Sequence, residues 1–428
     1  MPKALVLYHY FYPDDVVSAV LFSDLSRQLC YQGWQVTAMP CNRYWKHDIR
    51  EKLPKQDVYK GVQINRIWRP RFNQSKPMGR MLNSLWIVTA WSLLAFRKKA
   101  VPDVDVLIMG TDPLFSIFAA WIWKRVRPKT KIVQWSFDLH EIAVMEGRFK
   151  KNSWITKLFS KAMKWAYSAC DLVVDIGSCM QAKLSKYNGN IPKMTLTPWA
   201  LSEPAWPLPI DEQERLEAFG KAKLVLAYSG SFSRSHTCDL FIELAERLKG
   251  HDCVMAFSVN GNRLNVLKEA ISQSDANIQL VPFAPLDKLQ QRLGASDIHL
   301  ASLRSISTGC VVPSKFFGSL AVGRPVLFAG DSHSSIAKWI EKYQVGWVLS
   351  NETIDQVTEQ MLRFIEDKTE LYAIQQRCHQ VYQDLISKRY VTEQWNHILR
   401  RLVKGEIMTS HNLMAIQKDF DELISTME

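Results

Sequence analysis

Short apolar runs alternate along the chain with longer segments in which apolar positions recur every three or four residues. In the first half, ALVLYHY, VTAMP, VDVLIMG, KIVQWSF, DLVVDIG and KMTLTPWA read as strands. Residues 17–33, 113–126, a stretch within 154–170 and 178–187 carry helical spacing between them. Runs that are apolar at successive positions and bounded by Gly, Pro, Asp or Lys suit strands buried on both faces of a parallel sheet. After residue 222 the pattern restarts with LVLAYSG, CVMAFSV, IQLVPF, DIHLASL, RPVLFAG and GWVLS as strands. Helices are expected there at 238–249, 262–274, 286–293, 334–343 and 354–364. Strands alternating with helices twice over predict an α/β protein of two tandem doubly wound, Rossmann-like domains.

Residues 201–222 contain Pro204, Pro207 and Pro209 without an apolar period, which predicts a linker between the two. Doubly wound sheets bind ligands outside the carboxyl ends of their strands, so two such domains are expected to face across a cleft lined by strand-end loops. That restricts the search for chemistry to those loops.

Composition changes this picture little, and charge changes it more. The 428 residues include eight scattered cysteines without a C-x-x-C pair, so neither structural zinc nor a disulfide framework is expected, and a reducing compartment fits. Residues 1–200 hold 30 Lys and Arg against 14 Asp and Glu, a net charge of +16, whereas the remainder carries −4. A basic half points to an anionic partner: a phosphate-bearing substrate, a membrane surface or nucleic acid. Nucleic acid is the weakest of these, because the aromatics sit in apolar runs rather than between lysines. The N-terminus shows no apolar core with a cleavage site, so no signal peptide is expected. Leu82–Phe96, the most apolar stretch at fifteen residues and bounded by Arg80 and Arg97-Lys98-Lys99, falls short of the ~20 that span a bilayer. It suits either a helix lying in one leaflet with its cations at the headgroups or a helix buried under a sheet. Pro113–Trp123 is a second apolar piece and ends in the basic KRVRPKTK. A cytoplasmic protein with a membrane-facing side is expected.

Three loops carry candidate chemistry. In YSGSFSRSHTCDLF, residues 228–241, a strand ends at Gly230 and a helix begins near Cys238, with Thr237 or Ser235 as N-cap. Arg234 lies where a phosphate at the helix N-terminus would need a cation. In residues 302–330 a Gly309 loop precedes Pro313-Ser314-Lys315 at a helix start. A lysine in a first turn opposes the helix dipole, and makes sense where an anion binds between them. After KIVQWSF come Asp138, His140 and Glu141, placed either for acid–base work and hydroxyl recognition or to cap the next helix. Asp103-Val104-Asp105 has a metal-binding spelling but begins a strand, away from the ligand end. The P-loop, G-x-G-x-x-G and G-x-S-x-G patterns are missing.

The stretch 228–236, FSVNGNRL (257–264), residues 279–303 and VPSKFFGSLAVGRPVLF (312–328) together resemble the donor-binding half of family 4 retaining glycosyltransferases of the GT-B fold. The likeness is strongest to the branch acting on undecaprenyl-diphosphate-linked acceptors in surface-polysaccharide assembly. FYPDDVVSAVLFSDLSRQLCYQGWQVT, TDPLFSIFAAWIWKR with VQWSFDLHE, and TPWALSE resemble that family's first half and crossover, so the likeness runs from residue 4 to about 403. The resemblance implies a metal-independent hexosyltransferase without cofactor, using a nucleotide-diphosphate sugar, UDP-linked, as substrate. Gly230, Ser231, Asn260, Gly261, Pro282, Phe283, Gly309, Cys310 and Ser314 would bind the donor. Arg234 and Lys315 would neutralise its diphosphate, with Asp138, His140 and Glu141 where the acceptor hydroxyl meets the sugar. The family's two glutamates are Cys310 and Gly318 here, an Arg and a Lys are Ser231 and His236, and a glycine pair is Asp15-Val16-Val17. Those departures keep open a second reading, an inactive scaffold subunit at the membrane. The implied organisation is an acceptor domain at 1–200, a linker at 201–222, a donor domain at 223–385, a helix at 386–405 packing back on the first domain, and a tail at 406–428. Expected partners are the nucleotide sugar, a lipid-linked acceptor and an anionic membrane surface at the inner face of the cell membrane, with no nucleic acid.

Overall fold

The computed structural model describes residues 1–46, 49–139, 153–188, 191–284 and 288–406. The chain divides into two compact units: Met1–Thr197 with Gly309–Val311 and the chain from Val391, and Pro198–Thr308 with Val312–Tyr390.

The first unit is built on an eight-stranded sheet. Its strands are β1 (Lys3–Leu7), β2 (Gln35–Ala38), β3 (Gln56–Tyr59), β4 (Val62–Asn65), β5 (Val106–Gly110), β6 (Lys131–Trp135), β7 (Leu172–Asp175) and β8 (Lys193–Thr195). They lie in the order β3-β4-β2-β1-β5-β6-β7-β8, all parallel except the β3–β4 hairpin. Leu5, Leu7, Leu107, Ile132 and Leu172 are buried, as the continuous apolar runs predicted. The hairpin was not apparent in the sequence because QDVYKGVQIN is half polar, and its two strands are held by the turn at Lys60-Gly61 and by the sheet edge.

Helices α1 (Val17–Tyr31), α2 (Pro77–Leu94), α3 (Ser116–Val126), α4 (Trp154–Tyr167) and α5 (Ser178–Asn188) complete its layers. α2 packs beside α3, and α3 beside α4. The apolar segment around Leu82–Phe96 has two different faces. Ile87 and Trp91 are buried, and the Trp91 indole donates to the Met39 carbonyl at 2.9 Å. Met78, Leu82, Leu85, Trp86, Leu93 and Phe96 are exposed. The helix therefore has one face buried under the sheet, as the second reading expected, and one apolar face exposed.

The second unit has a six-stranded, all-parallel sheet of β9 (Leu224–Ser231), β10 (Cys253–Asn260), β11 (Ile278–Leu280), β12 (Ile298–Ser302), β13 (Val326–Ala329) and β14 (Gly346–Leu349). Its order is β11-β10-β9-β12-β13-β14. Helix α6 (Glu212–Phe219) lies inside the stretch expected to be a linker. Its Asp211 cap accepts from the Glu214 N–H at 2.9 Å, and Phe219 packs with Val225, Val254 and Ala295. Arg215 meets the fully buried Asp297 at 2.8 Å, while Lys368 reaches the other Asp297 oxygen at 2.7 Å. The prolines hid a helix that is pinned by charge and only one apolar edge.

Helices α7 (Asp239–Arg247), α8 (Leu264–Ser272), α9 (Leu289–Gly294), α10 (Lys315–Ala321), α11 (Ser335–Tyr343), α12 (Ile354–Glu366) and α13 (Thr369–Leu385) follow. The last helix, α14 (Lys388–Val403), passes into the first unit, where Trp395 lies edge-on to Trp135 at 5.0 Å and the Trp34 indole donates to Asn396. The expected tail beyond 406 lies outside the described residues. Among the described residues no helix is long and apolar enough to cross a membrane.

Candidate functional site

In each sheet the strand order reverses direction once, and the carboxyl ends beside that reversal form the natural ligand crevice of a doubly wound fold. In the second sheet it lies between β9 and β12, in the first between β1 and β5.

At the β9 end, Gly230 adopts φ +119°, and a Cβ there would stand 2.9 Å from Cε of Lys315. That φ favours glycine, and a larger residue would also have to displace the tip of the lysine. Lys315 opens α10 as expected, and its ammonium donates to the Ser231 carbonyl at 2.9 Å and lies 4.9 Å from the Tyr228 ring centre. Burial of the ammonium lowers its pKa to about 8. One ammonium proton is committed to Ser231, which leaves two donors for an anion. His236, at the same turn, accepts from the Ser233 N–H through Nδ1 at 2.9 Å. Burial first and then Lys315 depress its pKa to about 3, so its imidazole is neutral. The β10 end is drawn in by backbone pairing, since the Phe232 N–H donates to the Asn260 carbonyl at 2.6 Å. Gly261, at φ +125°, passes so close to the Phe232 carbonyl that a Cβ would clash at 2.5 Å.

The cap of α7 differs from expectation. Cys238 is the N-cap and makes no side-chain capping bond, while Thr237 donates its hydroxyl to Asp239 at 2.9 Å. Asp239 occupies the first turn, where its charge suits the helix dipole and takes the place assigned to an anion. Arg234 is exposed in the loop before it, and its carbonyl accepts from Arg304, which follows β12. Ser314 is exposed at the start of α10.

Thus Gly230, Ser231, Lys315, Asn260 and Gly261 stand together, with Arg234 on the adjoining loop. Pro282 and Phe283 instead line a cavity of about 390 Å³ walled by Glu214, Glu217 and Arg292, with neither Gly230 nor Lys315 on its lining. Gly309 and Cys310 belong to the first unit. There the Cys310 carbonyl accepts from the Leu139 N–H at 2.8 Å, and its thiol lies 3.3 Å from the Lys183 ammonium.

At the first sheet's reversal, Asp138 follows β6, and its N–H donates to the Thr111 hydroxyl beyond β5 at 3.3 Å. His140 and Glu141 lie outside the described residues. Two residues that sequence reasoning passed over dominate this end. His9, two positions past β1, places Nδ1 3.2 Å from the Asp112 carboxylate, two positions past β5. Burial works against charge on His9, but the Asp112 carboxylate and then the Cys41 thiol outweigh it and raise its pKa to about 9. Asp14 is buried nearby and accepts from the Trp45 N–H at 2.5 Å. The available signal was position alone: a histidine and an aspartate each just beyond an apolar strand. Asp103 and Asp105 are spent on Arg127 and the Lys3 N–H, so the metal-like spelling has structural uses. Among the described residues, no three His, Cys, Asp or Glu side chains gather as metal ligands do.

No family model matches the chain. In sequence it is similar to WbjE of Pseudomonas aeruginosa, named as a glycosyltransferase, at 24% identity over 287 residues, 65% of this chain and 70% of that protein. WcaI of Escherichia coli, named for glycosyl transfer in colanic acid biosynthesis, is 25% identical over 122 residues, 28% of this chain and 30% of WcaI. Among solved structures, sucrose-phosphate synthase of Thermosynechococcus elongatus superimposes with a TM-score of 0.69 at 12% identity, over 95% of this chain and all of that one. HepE of Anabaena, solved with UDP and glucose, gives a TM-score of 0.63 at 12% identity, covering 94% of this chain and all of HepE. WaaG, a glycosyltransferase of lipopolysaccharide biosynthesis, gives 0.61 at 15% identity, covering 93% of this chain and 99% of WaaG. The chain is a relative of glycosyltransferases and has the GT-B fold, two Rossmann-like domains on parallel sheets.

Proposed function

We propose that the chain is a retaining glycosyltransferase moving a sugar from a UDP-linked donor to a hydroxyl of a polyprenyl-diphosphate-linked glycan in surface-polysaccharide assembly. The observation that carries this reading is Lys315, an ammonium held at the carboxyl end of β9 by the Ser231 carbonyl, in a fold shared with HepE, which was solved with UDP and glucose. The C1–oxygen bond to the diphosphate breaks, a C1–oxygen bond to the acceptor forms on the same face, and the acceptor proton passes to the leaving diphosphate. Lys315 and Arg234 supply the positive charge that stabilises the leaving group, in the role a metal would otherwise fill. The first unit takes the acceptor.

The exposed face of α2, flanked by Lys76, Arg80, Arg97, Lys98 and Lys99, supports placing that unit on the inner, anionic surface of the cell membrane. Trp154, Leu158 and Trp165 on α4 extend the same chemistry, with Lys157, Lys161 and Lys164 beside them. Trp165 stands 4.0 Å from Trp121 of α3, so the apolar surface continues across the helix layer.

Titration of the purified protein with UDP-sugars and other nucleotide sugars, in the presence of anionic vesicles, tests this through thermal stabilisation. A selective shift with one donor is expected. No shift with any donor overturns the reading in favour of an inactive membrane scaffold. The observation favouring that second reading is Gly318, where the resembled family has a glutamate and where a Cβ meets nothing within 4 Å.

A further inference from the structure

The His9–Asp112 pair has a division of exposure that neither a buried nor a surface ion pair needs. The imidazole is 2% exposed and the carboxylate 41%. β1 and β5 are paired in register, Leu7 opposite Met109, so both residues leave the sheet side by side at its reversal. The backbone fixes them further: the His9 N–H donates to the Asp112 carbonyl at 3.3 Å, and the Cys41 N–H donates to the His9 carbonyl at 2.9 Å. The His9 ring lies stacked on Tyr10 at 4.1 Å. Burying a cation is costly unless its partner is held well. Here the buried imidazole stands 3.2 Å from one oxygen of a carboxylate that is itself partly exposed at the carboxyl end of the sheet reversal, where ligands of such sheets bind.

We propose that Asp112 is the carboxylate that receives the acceptor hydroxyl in the first unit, and that His9 is the positioning residue that holds it. The inference rests on the transferase reading above. Asp112 accepts a hydrogen bond from the attacking hydroxyl as the acceptor docks; as the new C1–oxygen bond forms, that proton turns to the leaving diphosphate oxygen, so Asp112 orients the acceptor and takes no proton. The groups facing His9 and its stacked neighbour are Asp112, Cys41, Tyr10, Arg69 and Asp14, of which Asp112 is the anion in direct contact. Loss of the His9 proton through about pH 9 therefore loosens the carboxylate.

The test uses the full chain with UDP-glucose, UDP-galactose and the UDP-N-acetylhexosamines, against polyprenyl diphosphates bearing one to three sugars. Asp112→Asn is expected to lower transfer by about 100-fold, as misplacement of a reacting atom does. UDP-induced thermal stabilisation and the donor KM should be unchanged, because both belong to the second unit. His9→Gln is expected to raise the acceptor KM or lower kcat by about tenfold, within the range of misplacement effects, and to abolish the decline in rate as pH rises through about 9. Where His9→Gln fails to fold, Asp112→Asn decides, since its side chain is accessible and similar in shape. Wild-type transfer with undiminished transfer by Asp112→Asn overturns this inference alone. Absence of wild-type transfer with every donor overturns the transferase reading and this inference with it.

Discussion

The two sheet reversals are built with opposite chemistry, and each opposes the net charge of the half that carries it. The basic first half, at +16 over residues 1–200, gathers Asp14, Asp112 and Asp138 about the buried Tyr8 and sets Asp112 3.2 Å from the buried His9. The mildly acidic second half gathers Lys315, Arg234 and Arg304 around a glycine turn. Net charge thus describes the outer surface of a unit, where the lysines and arginines beside α2 and α4 lie, and not its crevice. The crevice is set by a handful of groups whose local field outweighs the distant ones, because effective screening is weakest where water is excluded. A carboxylate crevice suits a hydroxyl and a cationic crevice suits a diphosphate.

The sharpest way to break this contrast is Lys315→Ala. Loss of a charge that meets the leaving diphosphate should cost ~100-fold or more in sugar transfer. Full activity in a transfer assay would remove Lys315 from the chemistry and leave the second crevice without its central cation.

Next in size is the outer surface. Replacing Leu85 by Glu on the exposed face of α2 should reduce partition onto anionic vesicles by about thirtyfold, as burial of one leucine contributes on the order of 2 kcal/mol. Thermal stability should hardly move, because the side chain is already in water. Sedimentation with vesicles measures the first and a melting scan the second. Unchanged partition would confine the membrane-facing chemistry to α4 or dispense with it.

The dependence of stability on pH sharpens the contrast, since the two crevices titrate with opposite sign. His9 has its pKa raised from 6.5 to about 9, so the folded state holds its proton more tightly. Its stabilisation is complete below about 6.5 and is lost as pH rises through 9. Lys315 has its pKa lowered from 10.5 to about 8, so its buried charge weighs against folding below 8 and that cost is relieved between 8 and 10.5. Melting temperatures of His9→Gln should lack the fall, and those of Lys315→Met the rise. If neither variant changes the pH profile, neither crevice carries the charge described.

The smallest expected effect concerns Gly318, inside α10 with open space beside it. Gly318→Ala should stabilise the protein by about 0.5–1 kcal/mol, the ordinary cost of a helical glycine. A destabilisation measured by denaturant unfolding would mean that this helix needs the glycine for a closer approach than the structure contains.

Much of this molecule was readable along the chain because its strands are buried on both faces. An apolar run flanked by Gly, Pro or charge carries its own signature, and β1, β5, β6, β7, β9, β10 and β12 all do so. The donor-side group was readable for a related reason: Tyr228, Gly230, Ser231, Arg234 and His236 fall within nine residues, and Lys315 begins a helix of its own. What local order could not convey is adjacency between strands. His9 and Asp112 are separated by 103 residues, and they meet only because β5 inserts next to β1 rather than beside β4. The two faces of α2 were likewise undecided by a uniformly apolar segment, since hydrophobicity reports that a residue avoids water and not which neighbour relieves it. Helix α6 shows the converse: its proline-rich approach read as a linker, and a buried Asp297 that accepts from Arg215, Lys368 and the Val225 N–H anchors it to the core. Short-range patterning is enough to specify elements and turns, because those depend on backbone preferences and on neighbours within a few residues. Pairings of charge across strands, and the division of one helix between core and surface, depend on which elements become neighbours, and that is settled only when the sheet orders its strands.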